Sequence, residues 1–192
     1  TFKDDQAIVG YDLMNEPGVA LGRQWNRLVK ETVKAIRAID QRKTIIVESI
    51  GANPEKLKDL PIFKGDPKVV YSFHMYHPDR YTHQGIGGRP FPVGLTDRSK
   101  SKLSPEKTIK EVAEEMLDKV RKWQKDHQTR VFVGEFSVNR DAPNATDYLR
   151  LCLDRFERYG WDWTYHAYST NSEPRRPGEV QIEEDDVWNI KL

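Results

Sequence analysis

Four apolar runs rich in β-branched residues constrain the fold of this chain more than any other feature of its sequence. They are "AIVGYDLM" (7–14), "TIIVES" (44–49), "KVVYSFHMY" (68–76) and "RVFVGEFSV" (130–138), and an aromatic run, "WDWTYHAYS" (161–169), follows them. Apolar residues at consecutive positions are typical of strands that are buried on both faces, as in a parallel sheet. The runs therefore predict five parallel strands.

Helical periodicity separates these runs. Apolar residues recur at intervals of three and four within residues 25–39 and again within residues 109–123. A further helix is predicted to run to about Tyr159 with Asn144 as its cap, and the stretch 53–63 predicts a short helix. Alternation of strands and helices indicates an α/β fold with a parallel sheet.

Composition excludes several classes of partner. Lys and Arg number 31 against 30 Asp and Glu, so no basic excess points to nucleic acid. No apolar run approaches the ~20 residues that cross a bilayer, so no membrane partner is predicted. The residues say nothing direct about export, because a signal peptide would lie upstream of Thr1 or be cleaved. Cys152 is the only cysteine, which excludes an internal disulfide and a thiolate cluster, and its helical spacing predicts a core thiol.

Polar side chains recur where the predicted strands end. The first strand ends at Asn15 and Glu16, the third ends at His74 and Tyr76, and Glu135 lies in the fourth. In parallel α/β folds, functional sites are built at the carboxyl ends of the strands, where successive loops converge. An ionised carboxylate is costly to bury, so two glutamates at corresponding strand ends predict a shared site.

Two carboxyl groups at about 5–5.5 Å are what a retaining glycosidase needs, one as acid/base and one as nucleophile. Their environments must differ, so that one stays protonated near neutrality while the other stays ionised. His74 and Tyr76 alternate on one strand face and are expected to supply hydrogen-bond donors. Asn15 is expected to bind a sugar hydroxyl.

Three segments together resemble glycoside hydrolase family 5, the cellulase and mannanase family of the retaining (β/α)8 clan. "DLMNEP" resembles its Asn-Glu-Pro signature, "VFVGEFS" its nucleophile strand and "FHMYHP" its sixth-strand His-x-Tyr segment. The resemblance implies that Glu16 is the acid/base at the end of strand four and that Glu135 is the nucleophile on strand seven. It further implies that Tyr76 orients the nucleophile, that His74 lines the same subsite, and that no metal or other cofactor is required.

The last strand departs from the family pattern. Many members have a tryptophan near the end of strand eight that stacks on the bound sugar, whereas the nearest equivalent here is His166. Substrate contacts are therefore expected from His166 or Tyr168, with Trp163 and the tail residue Trp188 as alternatives. His77, which begins a long loop, is a further candidate substrate-binding residue.

The resemblance covers residues 5–169 and corresponds to strands four to eight of the barrel. We therefore predict a partial (β/α)8 barrel over residues 1–169, followed by an acidic tail over residues 170–192. A complete barrel of this kind takes about 250 residues. Because the outer strands of an open sheet expose unpaired backbone groups, the chain is expected to self-associate or to be closed by a complementing chain.

These features predict a retaining endo-β-glycosidase that hydrolyses β-1,4-glucan of the cellulose type by double displacement. The same chemistry on mannan, xylan or mixed-linkage glucan is the alternative, because loops decide the substrate. An alternative of another class is a truncated, non-catalytic barrel fragment that binds carbohydrate or assembles with another chain. The resemblance implies secretion, since polymeric substrates cannot enter cells.

Other polar residues favour structural interpretations. Glu48 ends the second strand, but the family motif asks nothing of that position, so it is predicted to be structural. His74, His77 and His83 lie within ten residues, yet no clear set of carboxylate or thiolate ligands accompanies them, so catalytic zinc is not expected. His83 is predicted to be solvated.

Overall fold

The computed structural model describes residues 2–86, 92–99 and 106–167. Within them, five strands form one parallel sheet with the order β1-β2-β3-β4-β5. The strands are β1 (Gly10–Asp12), β2 (Thr44–Glu48), β3 (Val69–Met75), β4 (Arg130–Phe136) and β5 (Asp162–Trp163). Each predicted run contains one strand, and the prediction of an α/β fold with a parallel sheet is confirmed.

Helices occupy the connections between the strands. They are α1 (Gly22–Arg37), α2 (Asp79–Thr82), α3 (Ile109–His127) and α4 (Ala145–Tyr159), with 3-10 turns at Val19–Leu21, Ile50–Ala52 and Pro54–Asp59. The three longer helices lie where the periodicity predicts them. None of the helices in the described ranges has the length and apolar character needed to cross a bilayer.

Asn144 is the N-cap residue of α4, as predicted, but its side chain does not make the capping hydrogen bond with any of the described residues. Its φ is 66°, a left-handed value. Its main-chain carbonyl instead accepts from the N–H groups of Asp147 and Tyr148, both at 3.1 Å. The left-handed backbone turns the side chain away from the first helical turn, and asparagine is one of the residues that adopt this conformation most readily.

The described residues form two compact units. The first comprises the residues up to His74 together with Lys119–Val133. Residues of α1, of strands β1 to β3 and of the C-terminal half of α3 build its core, which includes Trp25, Val29, Val33, Ile45, Val47 and Val120. Gly10 in β1 is required by close packing, because a Cβ at this position would lie 2.7 Å from the carbonyl oxygen of Thr44 in β2.

The second unit comprises Met75–Asp118 together with the described residues from Gly134 onward. Its core is aromatic, and Phe136 packs edge-to-face on Phe156 with ring centroids 5.1 Å apart. Cys152 is fully buried there, as predicted, and burial raises the pKa of its thiol to about 12. A thiol in that state is a core residue and not a nucleophile.

Candidate active site

Glu16 lies four residues beyond the end of β1, in a strained turn. Its φ is 44°, a left-handed value that is uncommon for a residue with a side chain. Its side chain is half exposed, at 50%, and its Oε1 lies 2.9 Å from His74 Nδ1. The preceding Asn15 is exposed. A half-exposed carboxyl group in contact with an imidazole can both meet a substrate and exchange a proton.

His74 lies in β3 and is buried within the first unit. Its second ring nitrogen, Nε2, lies 3.2 Å from Glu48 Oε1. The imidazole therefore joins two carboxyl groups, one half exposed and one with only 2% of its side chain exposed. A ring in that position is held by a hydrogen bond at each nitrogen, which fixes its orientation.

Glu48 is buried at the carboxyl end of β2 and has several hydrogen-bond partners. Its Oε2 accepts from the main-chain N–H of Glu16 at 2.7 Å, and its Oε1 accepts from Ser72 Oγ at 3.3 Å as well as facing His74. Its main-chain carbonyl accepts from the indole N–H of Trp25 at 2.9 Å. Glu48 was predicted to be structural and was not named as a site residue. The feature of the sequence that could have indicated a role in the site is its position at the carboxyl end of a strand.

Asp12, the last residue of β1, lies close enough to Glu48 and His74 for their charges to affect its pKa. Asp12 is exposed at the end of the strand, yet partial desolvation raises the pKa of its carboxyl group, and the nearby Glu48 carboxylate raises that pKa further. Three carboxyl groups therefore lie at or near the ends of β1 and β2, on Asp12, Glu16 and Glu48. The His74 imidazole contacts two of them, Glu16 and Glu48.

Glu135 lies in the second unit, near the carboxyl end of β4, and is partly buried. The hydroxyl group of Tyr76 donates to its Oε2 at 2.8 Å. The main chain of Tyr76 is fixed in turn, because its carbonyl accepts from Thr82 Oγ1 at 2.6 Å. The sequence prediction that Tyr76 orients Glu135 remains a prediction about function, but the contact it requires is present.

These strand-end residues fall within a match to a known family model. The model described as "Cellulase (glycosyl hydrolase family 5)" matches residues 1–172 of the chain. The chain belongs to glycosyl hydrolase family 5. The family assignment made from "DLMNEP", "FHMYHP" and "VFVGEFS" is therefore confirmed.

Named relatives of this family member include endoglucanases. Endoglucanase C of Acetivibrio thermocellus is 26% identical over 209 residues, which cover 93% of this chain and 60% of the relative. The structure of the cellulose synthase subunit Z of Clostridioides difficile has a TM-score of 0.71 and 25% identity, covering 85% of this chain and 55% of that one. A hyperthermophilic endo-β-1,4-glucanase crystallised with substrate has a TM-score of 0.76 at 22% identity, covering 97% and 60%.

The chain thus spans about 60% of the length of Endoglucanase C, and only 30% of the length of Endoglucanase 3 of Fibrobacter succinogenes. The fold neighbours agree with a parallel α/β sheet that corresponds to part of a family 5 barrel.

The predicted substrate-binding residues in and after the last strand of this family 5 chain lie in different environments. His166 is exposed, and its main-chain N–H donates to the carbonyl of Phe136 at 3.3 Å. Trp163 packs edge-to-face on Phe136, and its indole N–H donates to Glu157 Oε1 at 2.8 Å. Tyr168 and Trp188 lie outside the described residues, as does the tail from residue 170. Binding of sugar by these side chains remains a prediction.

His77 and His83 flank the short helix α2. The carbonyl of His77 accepts from the hydroxyl group of Tyr148 at 2.9 Å. His83 was predicted to be solvated, and its side chain is 32% exposed, but it also has partners: its Nδ1 lies 3.0 Å from Asp79 Oδ1 and its ring packs edge-to-face on Tyr76 at 5.0 Å. These contacts were not predicted from the sequence.

Proposed function

We propose that this family 5 chain carries the catalytic residues of a retaining endo-β-glycosidase. Glu16 protonates the glycosidic oxygen while the carboxylate of Glu135 attacks the anomeric carbon, so the C–O bond breaks and a glycosyl ester forms. Glu16, now ionised, then takes a proton from water. The water oxygen attacks the anomeric carbon and releases the Glu135 carboxylate. The proposal requires both carboxyl groups to face one glycosidic bond.

The observation that carries this proposal is the difference between the partners of the two glutamates. Glu16 contacts the imidazole of His74, whose ring nitrogens can donate or accept a hydrogen bond. Glu135 accepts from the phenol of Tyr76, which keeps its proton near neutrality and stabilises an ionised acceptor. An imidazole suits the residue that must give and take a proton, and a phenol suits the residue that must remain a carboxylate.

We propose β-1,4-glucan of the cellulose type as the substrate. The printed names of the relatives, which include endoglucanases and an endo-β-1,4-glucanase, support this choice over mannan, xylan or mixed-linkage glucan. Asn15 beside Glu16, and His77, Trp163, His166 and Tyr168 in the second half of the chain, are proposed to contact sugar. Turnover on cellulose oligosaccharides and absence of turnover on the other three polymers would sharpen the assignment, and the reverse order of rates would overturn it.

The direct test is to incubate the 192-residue chain with a fluorogenic aryl cellobioside and to follow release of the leaving group. Glu135→Gln is the matched control, because it removes the carboxylate with little change of shape. We expect release that is abolished in the control. A 2-deoxy-2-fluoro cellobioside should trap the glycosyl ester, and peptide mapping should place it on Glu135. A trapped ester on any other residue would overturn the nucleophile assignment.

We further propose that another polypeptide segment, from a second copy or a complementing chain, covers the β1 side of the first unit. β1 lies at an edge of the sheet, and large apolar side chains near it are open to solvent, with Val9 exposed by 85% and Phe2 by 68%. An uncovered strand edge with exposed apolar groups favours association. Light scattering should give a mass above 22.4 kDa, and a stably folded monomer would contradict self-association.

An extracellular location is proposed on the same substrate argument, because a cellulose-type polymer cannot enter a cell. Detection with an antibody in the culture medium of the native host would support it. Retention inside the cells would contradict it.

A further inference from the structure

We propose that Glu48 is a positioning residue that fixes both the main chain of Glu16 and the imidazole of His74. The proposal rests on the proposed role of Glu16 and adds to it a buried carboxylate that acts through two neighbours. All of the groups involved lie in the first unit.

Hydrogen-bond donors compensate the buried charge of Glu48. A carboxylate with 2% of its side chain exposed is very costly unless donors compensate it. Three donors are present: the N–H of Glu16 at 2.7 Å on Oε2, and the Ser72 hydroxyl at 3.3 Å with His74 Nε2 at 3.2 Å on Oε1. Two of the three belong to the residues that form the Glu16–His74 contact. The arrangement is that of a clamp with one oxygen on each partner.

The backbone of Glu16 is strained. Its φ of 44° is an unfavourable conformation for a residue with a side chain. The hydrogen bond from its N–H to a charged oxygen is of the stronger, charge-assisted kind and holds the turn in place. The carbonyl of the next residue, Pro17, accepts from the N–H of Gly51 at 2.8 Å, which ties the same turn to the loop after β2.

The contact with Glu48 fixes the orientation of the His74 ring. With Nε2 held by Glu48, the other nitrogen, Nδ1, must face Glu16 Oε1 at 2.9 Å. A proton between those two atoms is either on the imidazole or on the Glu16 carboxyl group, and the same hydrogen bond survives in both states. Glu48 thus selects the ring orientation in which Glu16 can give up and recover its proton beside a partner that stays in place.

Glu48→Gln tests the clamp sharply. Glutamate offers two acceptor oxygens, whereas glutamine offers one acceptor and one donor, so Gln at this position cannot accept from both Glu16 N–H and His74 Nε2–H. NMR on the full 192-residue chain reads both contacts: amide exchange of Glu16, and the ring ¹⁵N signals of His74, assigned with His74→Gln. We expect at least one of two changes, which are tenfold or faster exchange at Glu16 and loss of the proton from Nε2.

Ser72→Ala is the matched control, because it removes the third donor and leaves both acceptor oxygens. It should leave the two signals as they are. If Glu48→Gln leaves both unchanged, or if Ser72→Ala alters them equally, the proposal is overturned. Should Glu48→Gln fail to fold, Glu48→Asp keeps the charge but retracts the oxygens by one methylene. Faster exchange at Glu16 is then the expected result, and unchanged exchange overturns the proposal.

A kinetic measurement separates this inference from the proposed function. In Glu48→Gln, kcat on cellotetraose should fall about 10- to 100-fold, with KM little changed. This is less than the ~10²–10⁴-fold that a general acid–base group itself contributes, because Glu16 is still present but less well positioned. The fall should be smaller for an aryl cellobioside, whose leaving group needs little protonation. The NMR result requires no turnover, so an inactive wild-type chain with an intact clamp would count against the proposed function alone.

Discussion

The two proposed catalytic glutamates lie in different units and are held in different ways. Glu16 stands in a strained turn, and its main chain and its side chain are both fixed, by Glu48 and by His74. Glu135 stands within the regular strand β4, and its described contact is a hydroxyl group of Tyr76 at 2.8 Å. A residue in a loop needs added hydrogen bonds for precision, whereas a residue in a strand takes its position from the sheet.

The two glutamates also differ in the chemistry of their partners. The hydrogen-bond partner of Glu16 is an imidazole, whereas the partner of Glu135 is a phenol hydroxyl group that donates to it. Different hydrogen-bond partners around identical side chains are one way in which a single residue type can serve as both acid and nucleophile, which is the division of roles proposed for these two residues.

The largest expected effect belongs to Glu135. Glu135→Gln should lower kcat/KM for an aryl cellobioside by at least about a thousandfold, because no other group is assigned to form the glycosyl ester. Calorimetry should still detect binding of cellotetraose. Retained hydrolysis in Glu135→Gln would contradict the assignment of Glu135 as the nucleophile, and with it the proposed difference between the two glutamates.

Glu16→Ala should be impaired differently. With an activated aryl leaving group, release of the glycosyl ester becomes slow, because water has lost its base. Added azide needs no base, so it should restore turnover and give a β-glycosyl azide. The same azide with Glu135→Ala should give the α-anomer, since azide then replaces the nucleophile. NMR of the products identifies the anomer, and an α-azide from Glu16→Ala would reverse the two roles.

Tyr76→Phe removes one donor and keeps the ring. A hydrogen bond to a charged group contributes about 1.5–3 kcal/mol, so kcat/KM should fall roughly 10- to 100-fold. The effect should concern formation of the glycosyl ester, which pre-steady-state bursts measure. Tyr81→Phe is the control, because the Tyr81 hydroxyl donates to the carbonyl of Pro143 and not to a carboxylate. An equal loss in the control would mean that Tyr76 acts through packing.

Asp40, a carboxylate that serves only the fold, gives the comparison a baseline. The main-chain N–H groups of Arg42 and Lys43 and the hydroxyl group of Tyr11 donate to it, and they lower its pKa from 3.8 to about 2. A lowered pKa stabilises the fold above about pH 4, and that stabilisation is lost as pH falls through about 2.

Asp40→Asn should therefore lower Tm slightly at neutral pH, with the difference from wild type shrinking between pH 4 and pH 2. Thermal unfolding followed by circular dichroism measures it. A constant difference across that range would mean that the charge of Asp40 is not what stabilises the turn.

Sequence by itself determined which five segments contain the strands and which polar residues lie at or just beyond their ends. The predicted end of the first strand at Asn15 and Glu16 was too late, because β1 ends at Asp12. Apolar runs with helical segments between them specify parallel strands regardless of tertiary detail, so Glu16, His74, Tyr76 and Glu135 could be named in advance. The segments that carry them were also sufficient to predict the family.

Only the tertiary structure decided which side chains touch. Glu48 joins the site because β2 and β3 pair with Glu48 opposite Ser72, which also brings His74, two residues further along β3, within reach of its carboxylate. The alternation of side chains constrains the face of a strand but not its register against a neighbour 24 residues away. The contacts of Glu48 with Glu16 and His74 depend on that register and on the turn at Glu16. No pattern in the sequence predicts the left-handed φ of that turn. Hydrogen bonds between residues distant in sequence exist only once the sheet has formed.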